Sequence, residues 1–214
     1  MDAATDRAGP KRRTRIQVQK REAILEAALE MFSQHGFRGA TIDQIAEAAG
    51  MSKPNLLYYF RSKEAIHVAL MQRLLATWLA PLKALDDVGD PMTELAAYIR
   101  RKLEMARDYP RESRLFANEI LQGAPRIMPM IEGELKALVD EKANVIRGWM
   151  AAGRIARTDP YHLIFSIWAT TQHYADFDVQ VRAVLGPKRG GDGRFDDAAR
   201  FLEQLFLQGL KPAP

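Results

Sequence analysis

Three polar side chains, Gln172, His173 and Asp176, lie within five residues of one another in WATTQHYADF (168–177), whose apolar spacing is otherwise that of a buried helix. An unpaired polar group away from water costs about 1–3 kcal/mol, so each needs a partner. On a helix, Trp168, Gln172 and Asp176 fall one turn apart in a single row. An indole face beside an amide and a carboxylate can stack on a flat ring and hydrogen-bond to its edge. The partner is the protein itself, a metal, a substrate or a regulatory ligand, and these side chains have the chemistry to bind a planar, amide-bearing ligand.

Two other interpretations of this segment remain open. A row of Trp, Gln and Asp is often a self-contained core or interface network. His173 and Asp176 have the spacing of two metal ligands, but the sequence offers no evident third ligand, no Ser-His-Asp spacing, no HExxH motif and no glycine-rich phosphate loop. We therefore expect no metal, no cofactor and no enzymatic activity. Trp78, beside Pro81 in another long helix, is the predicted second wall of the ligand site, and the roles of His173 and Tyr174 stay open.

The composition is that of an ordinary globular protein, with 47% hydrophobic and 27% charged residues. The absence of cysteine excludes disulfides and thiolate metal sites and favours a reducing cytoplasm. Neither a membrane span nor a secretory signal is expected, because no apolar run approaches the roughly 18 residues that a span needs. Residues 1–21 hold seven basic against two acidic residues. Residues 1–16 are therefore predicted to form a disordered basic arm, which either binds a polyanion or only adds solubility.

The rest of the chain has helical periodicity, which predicts an all-α protein of about nine helices. They are expected at about 17–35, 41–50, from Ser52 onward, and at 62–85, 91–108, 111–122, 126–152, 159–183 and 193–209, with Gly36 and Gly50 ending the first two. Short helices give way to long ones near residue 60. We therefore predict a small domain over 17–61 and a larger domain over 62–214.

Residues 41–66, TIDQIAEAAGMSKPNLLYYFRSKEAI, have the spacing of a helix-turn-helix. Thr41 and Gln44 match a capping box at the start of the first helix, and Ser52 can cap the second. Gly50 allows the positive φ that ends the first helix sharply, while Met51 and Leu56 are spaced to fill the angle between the two helices. A helical corner in an unrelated protein is the alternative.

The second helix of this motif would enter the major groove of DNA. Its exposed side chains would be Lys53, Asn55, Tyr58 and Tyr59. Lysine can contact phosphate or guanine, asparagine can pair with adenine, and tyrosine can donate to phosphate. The basic arm just upstream is placed as an arm that follows the adjacent minor groove would be.

The run AILEAALEMFSQHGFRGATIDQIAEAAGMSKPNLLYYFRSKEAI resembles the N-terminal domain of the TetR family of transcriptional regulators. The resemblance implies a three-helix DNA-binding domain, followed by a larger helical domain that binds a small molecule and dimerises. By the family pattern, Thr41 and Tyr59 touch phosphate, and Lys63 anchors the N-terminus of the next helix to the backbone. Asn55 stands where many relatives carry Thr, which leaves the base it reads open. The predicted DNA-binding set is Thr41, Ser52, Lys53, Asn55, Tyr58, Tyr59 and Lys63.

The second half of the chain resembles the TetR-family regulators of pyrimidine utilisation, which respond to uracil and thymine. The segments that carry this resemblance include WLAPLKAL (78–85) and LIFSIWATTQHYADF (163–177), and it fades at both termini and in GPKRGGDGRFDD. It implies uracil or thymine as the effector, bound by Trp78, Trp168, Gln172 and Asp176. Another planar heterocycle or a hydrophobic drug is the alternative effector, and an architectural DNA protein without an effector is a third interpretation.

The last helix, 193–209, carries an apolar stripe at alternating four- and three-residue spacing: Phe195, Ala199, Leu202, Phe206 and Gly209. Paired with the 159–183 helix and their symmetry mates, this stripe would form a four-helix dimer interface, as the family resemblance also implies. Core packing within a monomer is the alternative. The sequence thus predicts a homodimeric repressor that binds double-stranded operator DNA with an inverted repeat.

Overall fold

The computed structural model describes residues 15–212, which are helical without a strand in that range. They form two compact units, of which the first ends at Leu70 and the second begins at Met71. This division falls inside a helix, whereas the sequence placed the domain boundary at the start of that helix. Residues 1–14 of the predicted basic arm lie outside the described residues, and Arg15 and Ile16, assigned to the arm, already belong to the first helix.

The first unit contains α1 (Arg15–Gly39), α2 (Ile42–Ala48), α3 (Lys53–Tyr59) and the beginning of α4 (Lys63–Lys83). As predicted, Gly36 interrupts the regular helix, with φ +66° inside α1. The core of this unit is a compact set of apolar side chains from the three helices and the start of α4. These include Ile24, Ala28, Phe32, Ile45, Leu56 and Ile66.

The second unit contains the rest of α4 and seven further helices, two of which begin with an aspartate followed by a proline. They are α5 (Pro91–Asp108), α6 (Pro110–Leu121), α7 (Met128–Met130), α8 (Lys136–Ala151), α9 (Pro160–Asp176), α10 (Asp178–Arg189) and α11 (Arg194–Gly209). Asp90 and Asp159 accept hydrogen bonds from backbone N–H groups in the first turns of α5 and α9. The proline that follows each of them costs no helical hydrogen bond at that position.

The predicted helix over 159–183 is wrong in its extent, since the structure divides it into α9 and α10. Phe177 leaves the helical conformation at φ −115° and ψ 28°. Asp178, the first residue of α10, forms an ion pair at 2.6 Å with the buried Arg194 at the start of α11. This long-range contact fixes a bend that apolar periodicity does not signal.

The predicted helix over 126–152 is continuous but not regular. A π-helical turn, Ile131–Leu135, joins α7 to α8. Such turns hold one extra residue per turn and often lie at functional sites. Lys83, at the end of α4, forms an exposed ion pair at 3.0 Å with Glu134 in this turn.

The core of the second unit lies between α4, α5, α8, α9 and α11. By length and apolarity alone α4 is also able to cross a bilayer, and half of its most apolar window is buried within the protein. Core helices of globular proteins have the same character. Within the second unit, α4 contributes Leu75, Leu79 and Leu82 to this core.

Candidate DNA-binding and ligand-binding sites

The turn between α2 and α3 has the geometry that the sequence predicted for a helix-turn-helix. Gly50 has φ +64°, which an L side chain rarely adopts. The backbone N–H of Met51 donates to the carbonyl of Ala46 at 3.0 Å and closes the turn. Leu56 is fully buried and Met51 half-buried, so both fill the angle between the helices.

The starts of α2 and α3 are fixed differently. At α2, Thr41 Oγ1 accepts from the Gln44 N–H at 3.2 Å, and Gln44 Oε1 accepts from the Thr41 N–H at 2.8 Å, which is the predicted capping box. At α3, Ser52 occupies the N-cap position, as predicted, but its side chain makes no capping hydrogen bond. The exposed Ser52 hydroxyl is therefore not committed to the helix.

Three of the predicted groove-facing side chains of α3 are open to solvent. Lys53 and Asn55 are exposed, as is Tyr58, at 73%; Tyr59 is half-buried, with its ring 5.2 Å from that of Tyr58. Lys53 forms an ion pair with Asp43 at 2.9 Å. An exposed pair of this kind contributes little and is readily exchanged for a phosphate.

Two basic side chains hold α3 and the start of α4 in place: Arg21, which was not among the predicted residues, and Lys63, for which the family resemblance implied an anchoring role. Arg21 of α1 donates to the carbonyl of Tyr59 at 2.8 Å, and its guanidinium lies 4.0 Å from the centre of the Phe60 ring. Lys63 donates to the carbonyl of Ala40 at 2.8 Å and lies 4.7 Å from the Phe37 ring. The Lys63 ammonium therefore ties α4 to the junction of α1 and α2.

In the second unit, the predicted ligand row on α9 faces α5 and α6. Trp168 donates its indole N–H to the hydroxyl of Tyr98 on α5 at 2.6 Å. Asp176 accepts from the hydroxyl of Ser113 on α6 at 2.6 Å. Gln172, one turn from each, is half-buried and has no hydrogen-bond partner within residues 15–212. The structure thus pairs the two ends of the row and leaves its central amide unpaired.

Trp78 lies close to a buried charge. Its side chain is 8% exposed, its ring centroid is 6.3 Å from that of Tyr109, and the ammonium of Lys102 is 5.9 Å from its centre. Lys102 is itself only 4% exposed and interacts electrostatically with Asp176. Lys102 was not among the predicted site residues, although a lysine between Ile99 and Leu103 on the apolar face of an amphipathic helix is a detectable signal.

Burial shifts the titration of these groups. Desolvation lowers the pKa of Lys102 to about 8, against the opposing pull of the Asp176 carboxylate. Desolvation raises the pKa of Asp176, partly offset by the Ser113 hydrogen bond. Desolvation also raises the pKa of Tyr98, so its phenol stays protonated. The Lys102 ammonium therefore loses its proton more readily than an ordinary lysine, and the neighbouring Asp176 carboxyl is harder to ionise than an ordinary aspartate.

A cavity of about 390 Å³ is lined in part by Trp168 and Phe165. Its lining is mostly apolar and comes from α8, α9 and the π-helical turn. The polar groups at this cavity, Lys136, Asp140 and Tyr161, are already paired with one another, since both Lys136 and Tyr161 donate to Asp140.

His173 does not join a metal site in the described part of the chain. Residues 15–212 hold no group of three or more His, Asp or Glu side chains arranged for a metal ion. The exposed His173 ring stacks on Phe177 at 5.0 Å and meets Tyr174 edge-on at 6.3 Å.

The predicted dimer stripe on α11 faces the core of its own unit. Phe195, Ala199 and Leu202 are buried and Phe206 is half-buried, so their assignment to a subunit interface is wrong; Gly209, at the end of the stripe, is exposed. The apolar side chains that α9 and α11 expose are others. They are Phe165 on α9 and Phe201 and Leu205 on α11, with Phe177 directly after α9, each between 46% and 61% exposed.

Two family models together cover almost the whole chain. One, for bacterial regulatory proteins of the tetR family, matches residues 24–70, and the other, for the C-terminal region of YcdC-like proteins, matches residues 71–213. The chain is 50% identical over 201 residues to the HTH-type transcriptional regulator RutR of Escherichia coli K12, covering 94% of this chain and 95% of that protein. The chain belongs to the TetR family.

One further relative and two solved structures are more distant. The HTH-type transcriptional repressor NicS of Pseudomonas putida KT2440 is 30% identical over 94% of this chain and 98% of its own length. A crystal structure of a putative transcriptional regulator from Streptomyces coelicolor shares the fold, with a TM-score of 0.73 over 91% of this chain and 99% of that one, at 24% identity. AibR, solved in complex with isovaleryl coenzyme A and operator DNA, has a TM-score of 0.67 over 87% of this chain and 97% of its own, at 21% identity.

Membership of the TetR family confirms the all-α architecture and the N-terminal helix-turn-helix. The protein is a DNA-binding transcriptional regulator, and its relatives are regulators rather than enzymes. TetR-family regulators bind operator DNA and small-molecule effectors, typically as dimers.

Proposed function

We propose that this regulator is a repressor whose affinity for an inverted-repeat operator is controlled by uracil or thymine, in a protein that acts in the cytoplasm. The observation that carries the proposal is the row of Trp168, Gln172 and Asp176 on α9, with an unpaired amide at its centre. The similarity of the second half to regulators of pyrimidine utilisation supports the same effector.

The chemistry of the row matches a pyrimidine dione. Uracil has an imide edge of alternating carbonyl and N–H groups, and the Gln172 amide offers one donor beside one acceptor to such an edge. Trp78 and Trp168 offer flat apolar faces to the ring. The Gln172 amide is half-buried and has no hydrogen-bond partner within residues 15–212, so a ligand that pairs with it adds a hydrogen bond that the free protein lacks.

The DNA-binding half of the proposal depends on the exposed side chains of α3. Lys53, Asn55 and Tyr58 face solvent, and the Ser52 hydroxyl at the helix start is free to donate to phosphate. Thr41, Tyr59 and Lys63 would complete the contact surface. In a dimer, two copies of α3 would read two half-sites.

For the dimer itself, we propose that the exposed apolar side chains of α9 and α11 form the interface. Phe165 on α9 and Phe201 and Leu205 on α11 are large apolar groups in solvent. Monomeric proteins rarely expose several large apolar side chains to solvent. In a dimer with a two-fold axis, the same side chains of both subunits would be buried against each other.

The proposed link between the sites is α4, which starts directly after α3 and carries Trp78 in its third quarter. A ligand changes operator affinity only if it binds two conformations of the dimer unequally. Pro81 inside α4 lacks the N–H for one helical hydrogen bond, which eases adjustment next to Trp78.

A second candidate effector, a larger heterocycle or a hydrophobic drug, is favoured by the apolar cavity of about 390 Å³ beside Trp168. Such a ligand would contact Phe165 and Trp168 rather than the Gln172 amide. The two candidates therefore predict different dependence on the residues of α9.

Titration calorimetry tests the proposal with uracil, thymine, xanthine and a hydrophobic cation, each added to the purified protein. We expect binding of uracil or thymine and weaker or absent binding of the cation. A gel-shift assay on operator DNA, selected with the purified protein from random duplexes, should show release of the DNA when the same pyrimidine is added. Binding of the cation alone would replace the pyrimidine with the second candidate.

A further inference from the structure

Two lysines are buried in the second unit, and within residues 15–212 only Lys142 forms a hydrogen bond or an ion pair. Lys142 on α8 is 7% exposed; its ammonium donates to the carbonyl of Leu85 at 3.2 Å and pairs with Glu141 at 2.9 Å. Lys102 on α5 is 4% exposed, yet within residues 15–212 its ammonium has no hydrogen bond and no ion pair within 4.0 Å. The contrast identifies Lys102 as the unusual one.

An unpartnered ammonium in a protein interior is strongly unfavourable, and folded proteins keep very few of them. The pKa of Lys102 is lowered to about 8 by this burial, so the group is still mostly charged at neutral pH. Groups that reduce stability in this way are typically found at functional sites. Lys102 therefore needs an explanation outside the fold.

The surroundings of Lys102 describe the missing partner. The Trp78 ring lies 5.9 Å from the ammonium, and the Tyr109 ring lies 6.3 Å from that of Trp78. The Asp176 carboxylate is near enough to raise the Lys102 pKa and accepts a hydrogen bond from Ser113. A strong donor, a strong acceptor and an aromatic face thus come from three different helices, α5, α9 and α4.

We propose that Lys102 is an effector-contacting residue that donates to a carbonyl oxygen of the ligand while Asp176 accepts the adjacent ring N–H. This rests on the proposed function and narrows its ligand class. The ligand is a neutral planar ring with a carbonyl next to an N–H, because an ammonium and a carboxylate together match that edge. A hydrophobic drug without a carbonyl would leave the Lys102 ammonium unpaired and is selected against.

The test replaces Lys102 by an uncharged side chain of similar length. Lys102→Met should weaken uracil binding by roughly 10- to 100-fold in calorimetry, as expected for losing a charge-assisted hydrogen bond. Its melting temperature should rise or stay unchanged, because the substitution removes a buried charge. The matched control, Lys142→Met, should lower the melting temperature and leave uracil affinity within about twofold of wild type.

Thio analogues of the ligand test the same contact in the wild-type protein. Sulfur is a poor hydrogen-bond acceptor, so 2-thiouracil or 4-thiouracil, whichever carries sulfur at the carbonyl that Lys102 contacts, should bind more weakly than uracil. In Lys102→Met the preference for uracil over that analogue should disappear. The wild-type comparison stands even if the variant fails to fold.

The outcomes separate this inference from the proposed function. Wild-type protein that binds neither uracil nor thymine would overturn both. Two results would overturn the Lys102 contact alone, provided that wild-type protein binds uracil. One is an unchanged uracil affinity in Lys102→Met, and the other is an equal wild-type affinity for uracil, 2-thiouracil and 4-thiouracil. An equal loss of affinity in Lys142→Met would also overturn it, since any buried lysine would then have the same effect.

Discussion

The two compact units carry their functional side chains in opposite environments. In the first, the predicted DNA-contacting groups of α3 stand in solvent on a turn that Gly50 and the Thr41 cap define locally. In the second, Trp78, Lys102 and Asp176 are buried or half-buried and come from helices far apart in sequence. The exposed side chains of α3 can therefore be replaced without destabilising the first unit, whereas the proposed ligand-binding side chains also contribute to the packing of the second unit.

The largest expected effect lies in the first unit. Lys53→Ala combined with Tyr58→Ala should weaken operator binding by roughly 1,000-fold, because four contacts are lost in a dimer at about 1 kcal/mol each. Both side chains are exposed, so melting temperature and uracil affinity should not change. Gel shifts, calorimetry and thermal melts on one preparation measure all three.

The matched control for this pair is Lys188→Ala, which removes an exposed lysine from α10. It should leave operator affinity unchanged at fixed salt, because it lies outside the first unit. If the α3 double variant bound operator with the affinity of wild type at the same salt concentration, α3 would not be part of the DNA interface.

The second expected effect lies in the ligand unit. Gln172→Leu should cost about 1–3 kcal/mol of uracil affinity, since the imide edge loses its partner. Calorimetry should show this loss, while operator binding without ligand stays as in wild type. Gln180→Leu, an exposed position on α10, is the control and should bind uracil normally. Identical titration curves for Gln172→Leu and wild type would exclude that amide from the site.

The sequence was sufficient for the parts of the fold that neighbouring residues determine. The capping box of Thr41 and Gln44, the breaks in regular helix at Gly36 and Gly50, the positive φ of Gly50, and the packing of Leu56 between the helices were all predicted and are all present. Each depends on contacts within about ten residues. Helix periodicity likewise placed α5 at its observed bounds, 91–108.

The sequence was insufficient where distant residues decide. The bend at Phe177 depends on an ion pair between Asp178 and Arg194, and the orientation of α11 depends on the core that receives it. Periodicity identifies an apolar stripe but not the surface that covers it. For the same reason it found the row on α9 but not Tyr98, Ser113 and Lys102, which α5 and α6 bring to that row.

The pH dependence of stability provides a smaller effect that is specific to the ligand unit. The pKa of Lys102 is about 8 in the folded protein, below its ordinary value of 10.5, so above pH 8 the unfolded chain holds more protons at this site. Stability should therefore rise between about pH 8 and 9.5, by roughly 1 kcal/mol.

Tyr98 limits that range from above, because its raised pKa makes the folded state bind more protons than the unfolded chain beyond about pH 10. Chemical denaturation at several pH values measures the rise, and comparison with Lys102→Met isolates it from other lysines. A wild-type curve parallel to that of the variant would mean that Lys102 is not desolvated in solution.

The smallest expected effect returns to the first unit and tests whether its turn is as local as its contacts indicate. Thr41→Ala removes the hydroxyl that accepts from the Gln44 N–H and should cost about 1 kcal/mol at the start of α2. Hydrogen exchange at that amide should accelerate about fivefold, while amides in α5 and α9 keep their rates. Thr41→Ser retains the hydroxyl and should exchange like wild type. Faster exchange in both units would show that the stability of the first unit depends on the second. The DNA-binding turn would then not be determined by local contacts alone, contrary to the comparison drawn above between the two units.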